Sequence, residues 1–313
     1  MLYYIKYIYA SAANSGDDPK PARVSRHRPE ATINGGVGVA AAVETRQRAA
    51  WGILLPRPMA GMNTFVGVDW ASRGWLVVAA EADEWTVRMH PSIQSVWFEH
   101  GGAEAILVDV PIGLPAADRR ACDRGAKEFL GSSGARSVFW TPCRDAVERH
   151  TYEEAKRANV DARGDSLSSQ AWGLIPRIRE VDRFLRATES ARETVMESHP
   201  EVCFAAFAGD ALESKHDEAG LDARRECLEK LDESVAGVYD DVVDERIDGQ
   251  PAWARRIGRS NRDDLLDAMA LALTAKIGAG DFERVPDGEP VGDGSVPRDG
   301  EGLPMRIVYA EPE

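Results

Sequence analysis

From residue 62 onward, the hydrophobic pattern alternates between short strand-like runs and longer helical stretches. Three apolar runs rich in β-branched and aromatic residues follow one another across short turns: TFVGVDW, GWLVVAAE and EWTVRMH. Such runs predict strands, and three of them in succession predict an antiparallel meander. SIQSVWFEHGG predicts a short helix ending at glycine. AILVDVP is a continuous apolar run, which is typical of a central strand covered on both faces.

Helices dominate the rest of the pattern. Residues 117–195 predict a mostly helical insertion, in which Pro176 should kink its helix or start a new one. ETVMESHP predicts a further strand, and RDDLLDAMALALTA, residues 262–275, predicts a final helix with an apolar face. A meander followed by αβ units predicts an α/β fold with a mixed sheet and helices on its faces.

The two ends of the chain differ from this body. Residues 1–61 lack sustained periodicity and hold 8 basic and 4 acidic groups. Because Met62 directly precedes a strong strand pattern, we interpret residues 1–61 as spurious upstream sequence or as a disordered extension. The predicted domain spans 62–280. Residues 281–313 are rich in proline, glycine and acids, and predict an acidic flexible tail with one short strand at MRIVYA.

Composition adds three expectations. The 313-residue chain has a net charge of −14 and contains 31 arginines but only 7 lysines. This balance favours a halophilic host, so the acidity does not exclude an anionic partner. The four cysteines form no CxxC pair, which predicts buried thiols in a cytoplasmic protein. No apolar run reaches the roughly 18 residues of a spanning helix, so no membrane association is predicted.

Aspartates at the ends of two predicted strands are the first candidate chemistry. Asp69 lies near the end of the first strand, and Asp109 has the same relative place in the crossover strand. Either one alone is explained by capping of a turn. A buried, unpaired carboxylate is costly, however, and neighbouring strands lie about 4.8 Å apart. The two carboxylates are therefore candidate ligands of a shared metal ion.

The final helix supplies further acids. Asp264 and Asp267 are three residues apart and share one face. Asp263 is rotated by about 100°, so we expect it to face solvent or to interact with the helix dipole. Carboxylates that gather at strand ends and on one helix turn repel each other, and hard oxygen ligands suit Mg²⁺ or Mn²⁺.

The segment ESHPE contains one more acidic candidate. Glu197 ends a predicted strand and is an added candidate for the same edge of the sheet. Ser198 and Glu201 have the spacing of a capping box, which predicts a structural role for Glu201. His199 has three readings that the residues leave open: a metal ligand, a proton shuttle or a packed turn residue.

An ordered set of motifs resembles a known family. The pieces are GVDWASRGW, LVDVPIGLP, RRACDRGAKEFLG, SVFWTPCRDAV, LSSQAWGLIPRIREVD, ESHPEVCFAAFAG and DDLLDAMALALTA, which together span Phe65 to Ile277. They resemble the DUF429 proteins, predicted nucleases of the ribonuclease H-like superfamily. The last motif is also similar to the end of RuvC-type resolvases. The resemblance implies a ribonuclease H-like fold, with metal-binding acids on the first strand, the fourth strand and the last helix.

The implied chemistry is metal-dependent hydrolysis of nucleic acid. Carried over residue by residue, the resemblance implies Asp69 as a ligand shared by two metal ions, Asp109 and Asp267 as ligands of one ion each, and Asp264 in support. Such a site needs carboxylates within about 4–7 Å of each other. Two alternatives remain: a non-catalytic nucleic-acid or metal-binding module on the same fold, and a phosphotransferase of the actin and sugar-kinase type. The second is disfavoured because no glycine-rich phosphate motif is evident.

The helical insertion is the predicted contact region for nucleic acid of unknown type. It holds 15 basic and 13 acidic groups, a net charge of +2, whereas residues 196–313 hold 13 and 28. Arginines and aromatic side chains can contact a strand by charge and stacking. The alternative is that the aromatics form the core of the insertion and the arginines pair with its acids. The candidate substrate-binding residues are Arg136, Arg144, Trp172 and Arg262.

Overall fold

A computed structural model describes residues 63–82, 84–213, 215, 217–252, 254–279, 281–286 and 296–312. The predicted N-terminal extension, 1–61, lies outside these residues. The described chain is mixed α/β. Its strands are β1 Thr64–Trp70, β2 Trp75–Glu81, β3 Glu84–His90, β4 Ala105–Val108, β5 Val195–Glu197, β6 Glu283–Val285 and β7 Ile307–Tyr309.

Ten α-helices occur in the described residues. They are α1 Ile93–His100, α2 Ala121–Phe129, α3 Gly131–Gly134, α4 Arg144–Val147, α5 Tyr152–Arg163, α6 Ser169–Ala187, α7 Pro200–Ala208, α8 Glu218–Leu231, α9 Glu233–Val242 and α10 Arg262–Ile277. The helices α2 to α6 occupy the predicted insertion. The final helix begins where the sequence places it and continues two residues further.

Five strands form one mixed sheet in the order β3-β2-β1-β4-β5. The first three strands are antiparallel neighbours, which confirms the predicted meander. Strand β4 pairs in parallel with β1, and β5 pairs in parallel with β4. This arrangement puts the carboxyl ends of β1, β4 and β5 at one edge of the sheet, where ligand sites of α/β sheets are commonly found.

The sheet separates two hydrophobic cores because side chains alternate between its faces. Val66 and Val68 point to the face covered by α1 and α6, whereas Phe65 and Leu107 point to the face covered by α10. Helix α10 is buried on every side from Leu265 to Ala275, rather than on the single predicted face.

Helix α10 contacts the sheet closely at one glycine. A Cβ added at Gly67 would overlap the carbonyl oxygen of Ala268 and the amide nitrogen of Ala272. Only hydrogen fits at this position, so the helix backbone lies directly against β1. The contact aligns the acidic first turns of α10 with the end of β1.

The helical insertion contains a proline that the sequence expects to kink its helix or to start a new one. Pro176 lies inside the continuous helix α6, so the second alternative does not occur. Its missing N–H removes one helical hydrogen bond, while the neighbouring Ile175 and Ile178 are fully packed in the core. That packing explains why the helix continues through the proline.

The C-terminal segment is packed and is not a solvated tail in its described parts. Strand β7 pairs antiparallel with β6, and Ile307 and Val308 are buried. The short strand predicted at MRIVYA is thereby confirmed. Asp299 accepts a hydrogen bond from the Leu114 amide at 2.8 Å and forms an ion pair with Arg144 at 2.6 Å. These polar contacts, together with the apolar strand, outweigh the acidic composition that suggested a tail.

Two simpler expectations concern the cysteines and the membrane. All four cysteines, Cys122, Cys143, Cys203 and Cys227, are free and buried. In the described part of the chain, none of the helices combines the length and apolar character that crossing a membrane requires.

Candidate functional site

Two aspartates come together at the carboxyl ends of β1 and β4. The register pairs Val68 with Val108, so the next residues, Asp69 and Asp109, lie side by side. The Asp109 amide donates to the Val68 carbonyl at 3.0 Å, which continues the pairing to this level. Asp69 lies two residues after Gly67 and points to the same face, towards α10. Adjacent strands thus present two carboxylates to the helix that covers them.

Helix α10 adds its own carboxylates at the same place. Asp267 is 2% exposed, and its Oδ1 atom is buried without a hydrogen-bond partner among the described residues. Asp264 is half-buried and accepts a hydrogen bond from the Asn261 side chain, which also donates to Ser72 Oγ at 3.1 Å. Burial raises the pKa of Asp264 to about 7, against the lowering effect of that Asn261 hydrogen bond. Through the Asn261 hydrogen bonds to Asp264 and Ser72, the start of α10 is held against the turn between β1 and β2.

Asp69 is the electrostatic centre of this group. Burial raises its pKa well above the usual range, and the charges of Asp109, Asp267 and Asp264 raise it further. Its Oδ1 atom accepts a hydrogen bond from the Trp70 amide at 2.6 Å. We call Asp69, Asp109, Asp264 and Asp267 the aspartate cluster.

Lys215 provides positive charge to the aspartate cluster. Its Nζ atom forms a short ion pair with Asp267 and lies 4.0 Å from Asp263. Burial acts to lower the pKa of Lys215, but the negative charges of Asp267, Asp69 and Asp263 have a larger effect, so the pKa is raised. Asp263 is partly exposed in the first turn of α10, and its charge acts on the cluster through Lys215.

The other two buried acids of the cluster remain difficult to ionise despite Lys215. Burial raises the pKa of Asp109 to about 6 and that of Asp267 to about 6. Lys215 opposes both shifts, whereas the charge of Glu201 adds to them. One ammonium is too little charge for carboxylates that are this buried and this close.

The start of α7 forms the adjoining wall. Glu201 accepts two hydrogen bonds from buried Arg224, at 2.8 and 2.7 Å, so its role is an ion pair rather than a capping box. Ser198 donates instead to the Val308 carbonyl at 2.7 Å, and residue 199 occupies the N-cap position. Within the part of the chain that the structure describes, His199 Nδ1 is buried without a hydrogen-bond partner. Burial lowers the pKa of His199, although the nearby Glu201 and Asp267 raise it, so the imidazole belongs to the surroundings of the cluster.

Glu197 is not part of the aspartate cluster, contrary to the expectation from the sequence. The register pairs it with Val108, so it lies on the opposite face of the sheet from Asp109. There it accepts hydrogen bonds from Arg120 at 2.7 Å to each carboxylate oxygen, and from the Ile112 amide at 2.7 Å. Arg120 also ion-pairs with buried Asp123, which makes Glu197 part of a structural ion-pair network.

Three of the four predicted substrate-binding residues already have partners within the fold. Arg144 joins Asp182 and Asp299, Arg262 pairs with Asp248 at 2.5 Å, and Trp172 packs against Tyr152 with ring centroids 5.7 Å apart. Arg136 differs, because it is exposed and has no ion pair with any residue that the structure describes.

A second group of side chains could hold a metal ion. Among the described residues, His90, Glu99 and His100 form the group whose ligand atoms all lie within 4.8 Å of one another; the aspartate cluster is less compact than this. Sequence reasoning missed this group because single histidines and one helical glutamate carry no spacing signature. It also missed Lys215, which lies outside every regular element and approaches the cluster only in three dimensions.

Comparison with known proteins identifies one family. No curated protein and no solved structure matches the chain significantly. A family model described as "Protein of unknown function (DUF429)" matches residues 67–291, which include the whole aspartate cluster. The chain therefore belongs to the DUF429 family.

Proposed function

We propose that the protein is a metal-dependent nuclease of the ribonuclease H-like type, which hydrolyses phosphodiester bonds at the aspartate cluster. The observation that carries the proposal is the convergence of acids from the first strand, the fourth strand and the final helix at one edge of the sheet. This is the placement that the family resemblance implies. The antiparallel meander followed by parallel strands supports the same fold type.

The donor set suits a hard divalent cation. The cluster offers carboxylate oxygens, which Mg²⁺ and Mn²⁺ prefer. One of them, Asp267 Oδ1, is buried without a hydrogen bond to any described residue. Burial and mutual repulsion raise the pKa values of these acids, so the ionised cluster needs more positive charge than Lys215 brings. When bound there, divalent ions would activate a water molecule and stabilise the leaving oxygen.

The position of each residue in the fold suggests its role in the proposed site. Asp69 lies on the strand between β2 and β4 and faces α10, so we assign it the role of shared ligand. Asp109 approaches from β4 and Asp267 from α10, and these two would complete the coordination on either side. Asp264, held by Asn261, supports the rim of the site. Lys215 donates to Oδ2 of Asp267 and competes with a cation for this carboxylate. When displaced, its ammonium would contact a phosphate oxygen.

One observation favours a second candidate function. Lys215 already neutralises part of the cluster, and the four aspartates do not reach the compactness of the His90 group. A module that keeps these acids for stability, with Lys215 in place of a cation, would bind nucleic acid or metal without cleaving.

The test is cleavage of labelled single- and double-stranded DNA and RNA with Mg²⁺ or Mn²⁺, at low and high KCl. A nuclease should lose activity about 100-fold or more in Asp267→Asn and Asp69→Asn, because even outer-shell partners of a metal are worth 10–100-fold. Asp145→Asn is the control, since Asp145 is exposed and its ion pair with Arg149 lies away from the aspartate cluster. Metal-dependent cleavage that survives both cluster variants, or no cleavage of any substrate, would contradict the proposal. Binding without cleavage would favour the second candidate.

A further inference from the structure

His90, Glu99 and His100 meet at the junction of β3 and α1. His90 is the last residue of the edge strand β3, and His100 is the last residue of α1. A capping box in which Ser92 and Ser95 bond each other fixes the start of α1 directly after the strand. The helix therefore runs back so that its C-terminal end lies against the end of β3.

The three side chains surround a small gap, and the described residues form no hydrogen bond between Glu99 and the Nε2 atoms of His90 and His100. His90 Nε2 lies 3.6 Å from Glu99 Oε2, and His100 Nε2 lies 3.9 Å from Glu99 Oε1. Both distances exceed those of a hydrogen bond. Two atoms that bind one tetrahedral zinc ion at about 2.1 Å are roughly 3.4 Å apart. The two nitrogen–oxygen distances, 3.6 and 3.9 Å, are close to that spacing.

Both imidazoles offer a nitrogen without a partner. The side chains of His90 and His100 are 8% and 7% exposed, and each Nε2 atom is buried with no hydrogen bond to any residue that the structure describes. Leaving such an atom unsatisfied is costly. Both rings approach the same carboxylate, with each Nε2 atom directed at Glu99.

The chemistry of the group selects a class of metal. Two imidazole nitrogens and one carboxylate suit zinc and neighbouring transition metals, whereas Mg²⁺ prefers oxygen alone. Burial lowers the pKa of His90 and of His100, which favours the neutral ring that a metal requires. Glu99 is 37% exposed, which leaves one side of the gap open to water. Arg88, itself largely exposed, pairs with Glu99 at 3.1 Å and can move away when a metal neutralises the carboxylate.

We propose that His90, His100 and Glu99 bind one transition-metal ion of the zinc class, with water in the remaining position. The ion joins the edge strand β3 to the end of α1. This site is separate from the aspartate cluster. His90 pairs with Trp75, whose side chain lies in the α1 and α6 core, whereas Asp69 pairs with Leu76, which faces α10. The two sites therefore lie on opposite faces of the sheet.

The test is titration of the metal-stripped, untagged protein with Co²⁺, followed by visible absorption and by competition with Zn²⁺. The wild type should bind one equivalent with ligand-field bands that Zn²⁺ abolishes and millimolar Mg²⁺ does not. Glu99→Gln and His100→Gln should weaken binding about 10-fold or more, because even outer-shell changes reach that size. His150→Gln, which changes an exposed histidine in the insertion, and Asp267→Asn should bind as the wild type does.

Several outcomes would overturn the site. They are a wild type that binds no Co²⁺ at micromolar concentration, or Glu99→Gln and His100→Gln variants that bind like the wild type. Loss of the bands in Asp267→Asn alone would place the ion in the aspartate cluster instead. Circular dichroism checks that each variant is folded, and the partly exposed Glu99 provides the decisive variant if His100→Gln does not fold. Nuclease activity is not the readout, so failure of this site and failure of the proposed nuclease are distinguishable.

Discussion

At the scale of single residues, the balance between Lys215 and the aspartates governs the candidate site. Lys215 pairs with Asp267 and lies near Asp263, but buried Asp69 and partly buried Asp109 still have raised pKa values. The ammonium and a divalent cation compete for the same carboxylate. The charge of this one side chain therefore sets both the stability of the metal-free protein and the affinity of the site.

Replacement of Lys215 by methionine should reveal this competition. We expect a loss of about 3 kcal/mol in the free energy of unfolding without metal, because breaking a buried pair leaves an uncompensated charge. Mg²⁺ should then raise the melting temperature more than it does in the wild type. Lys276→Met is the control, since Lys276 lies on α10 but pairs with Asp232 at 3.0 Å. Equal Mg²⁺-induced shifts in both variants would show that Lys215 does not occupy a cation site.

The pKa values predict how metal stabilisation depends on pH. Asp109 and Asp267 titrate near 6 and Asp264 near 7, all above the ordinary value of 3.8. Between pH of about 4 and 7 the folded state thus binds more protons than the unfolded state, so these groups lower stability as pH rises. Mg²⁺ binds the ionised form, so its stabilising effect should grow from pH 5 to 8. Melting curves with and without Mg²⁺ test this, and a shift that is largest at pH 5 would refute it.

At the scale of elements, two contacts hold the site in place. Helix α10 lies against β1 through Gly67, and the Arg120 network joins the chain after β4 to the end of β5. The first contact positions Asp264 and Asp267 over Asp69. The second holds β5 in a register that keeps Glu197 away from the cluster.

Gly67→Ala tests the helix contact. The added methyl has no room, and overpacking of this kind costs about 1–3 kcal/mol. We also expect weaker Mg²⁺ binding, because α10 must shift relative to β1. Gly173→Ala in α6 is the matched control, since its Cβ meets nothing within 4 Å and alanine favours a helix by up to about 1 kcal/mol. Urea unfolding compares the two, and equal stabilities would contradict the close contact.

Neighbouring arginines test the ion-pair network. Arg120→Met leaves Glu197 and Asp123 buried without their cation and should cost about 3–5 kcal/mol. Arg119→Met removes an exposed pair with Asp165 and should cost at most about 1 kcal/mol. Denaturant unfolding provides both values. If the two substitutions cost the same, Glu197 does not depend on Arg120 and its exclusion from the cluster needs another explanation.

At the scale of the whole molecule, the sequence predicts the sheet better than the surroundings of the site. The meander and the final helix follow from periodicity, and Asp69 and Asp109 follow from carboxylates in apolar strands. The position of Glu197 depends on the register of a three-residue strand, which alternation along one strand cannot reveal. The ion pair of Lys215 and the packing of the C-terminal strand depend on contacts distant in sequence. For the C-terminal segment, the acidic composition predicted a flexible tail, whereas its described part is packed.

Anomalous diffraction from crystals soaked in Mn²⁺ shows directly whether the aspartate cluster binds a metal ion. We expect Mn²⁺ bound by Asp69 together with Asp267 or Asp109, and Lys215 displaced from Asp267. Crystals of Asp267→Asn should lose that peak. Absence of Mn²⁺ from the aspartate cluster at millimolar concentration, with the Lys215–Asp267 pair intact, would contradict the account.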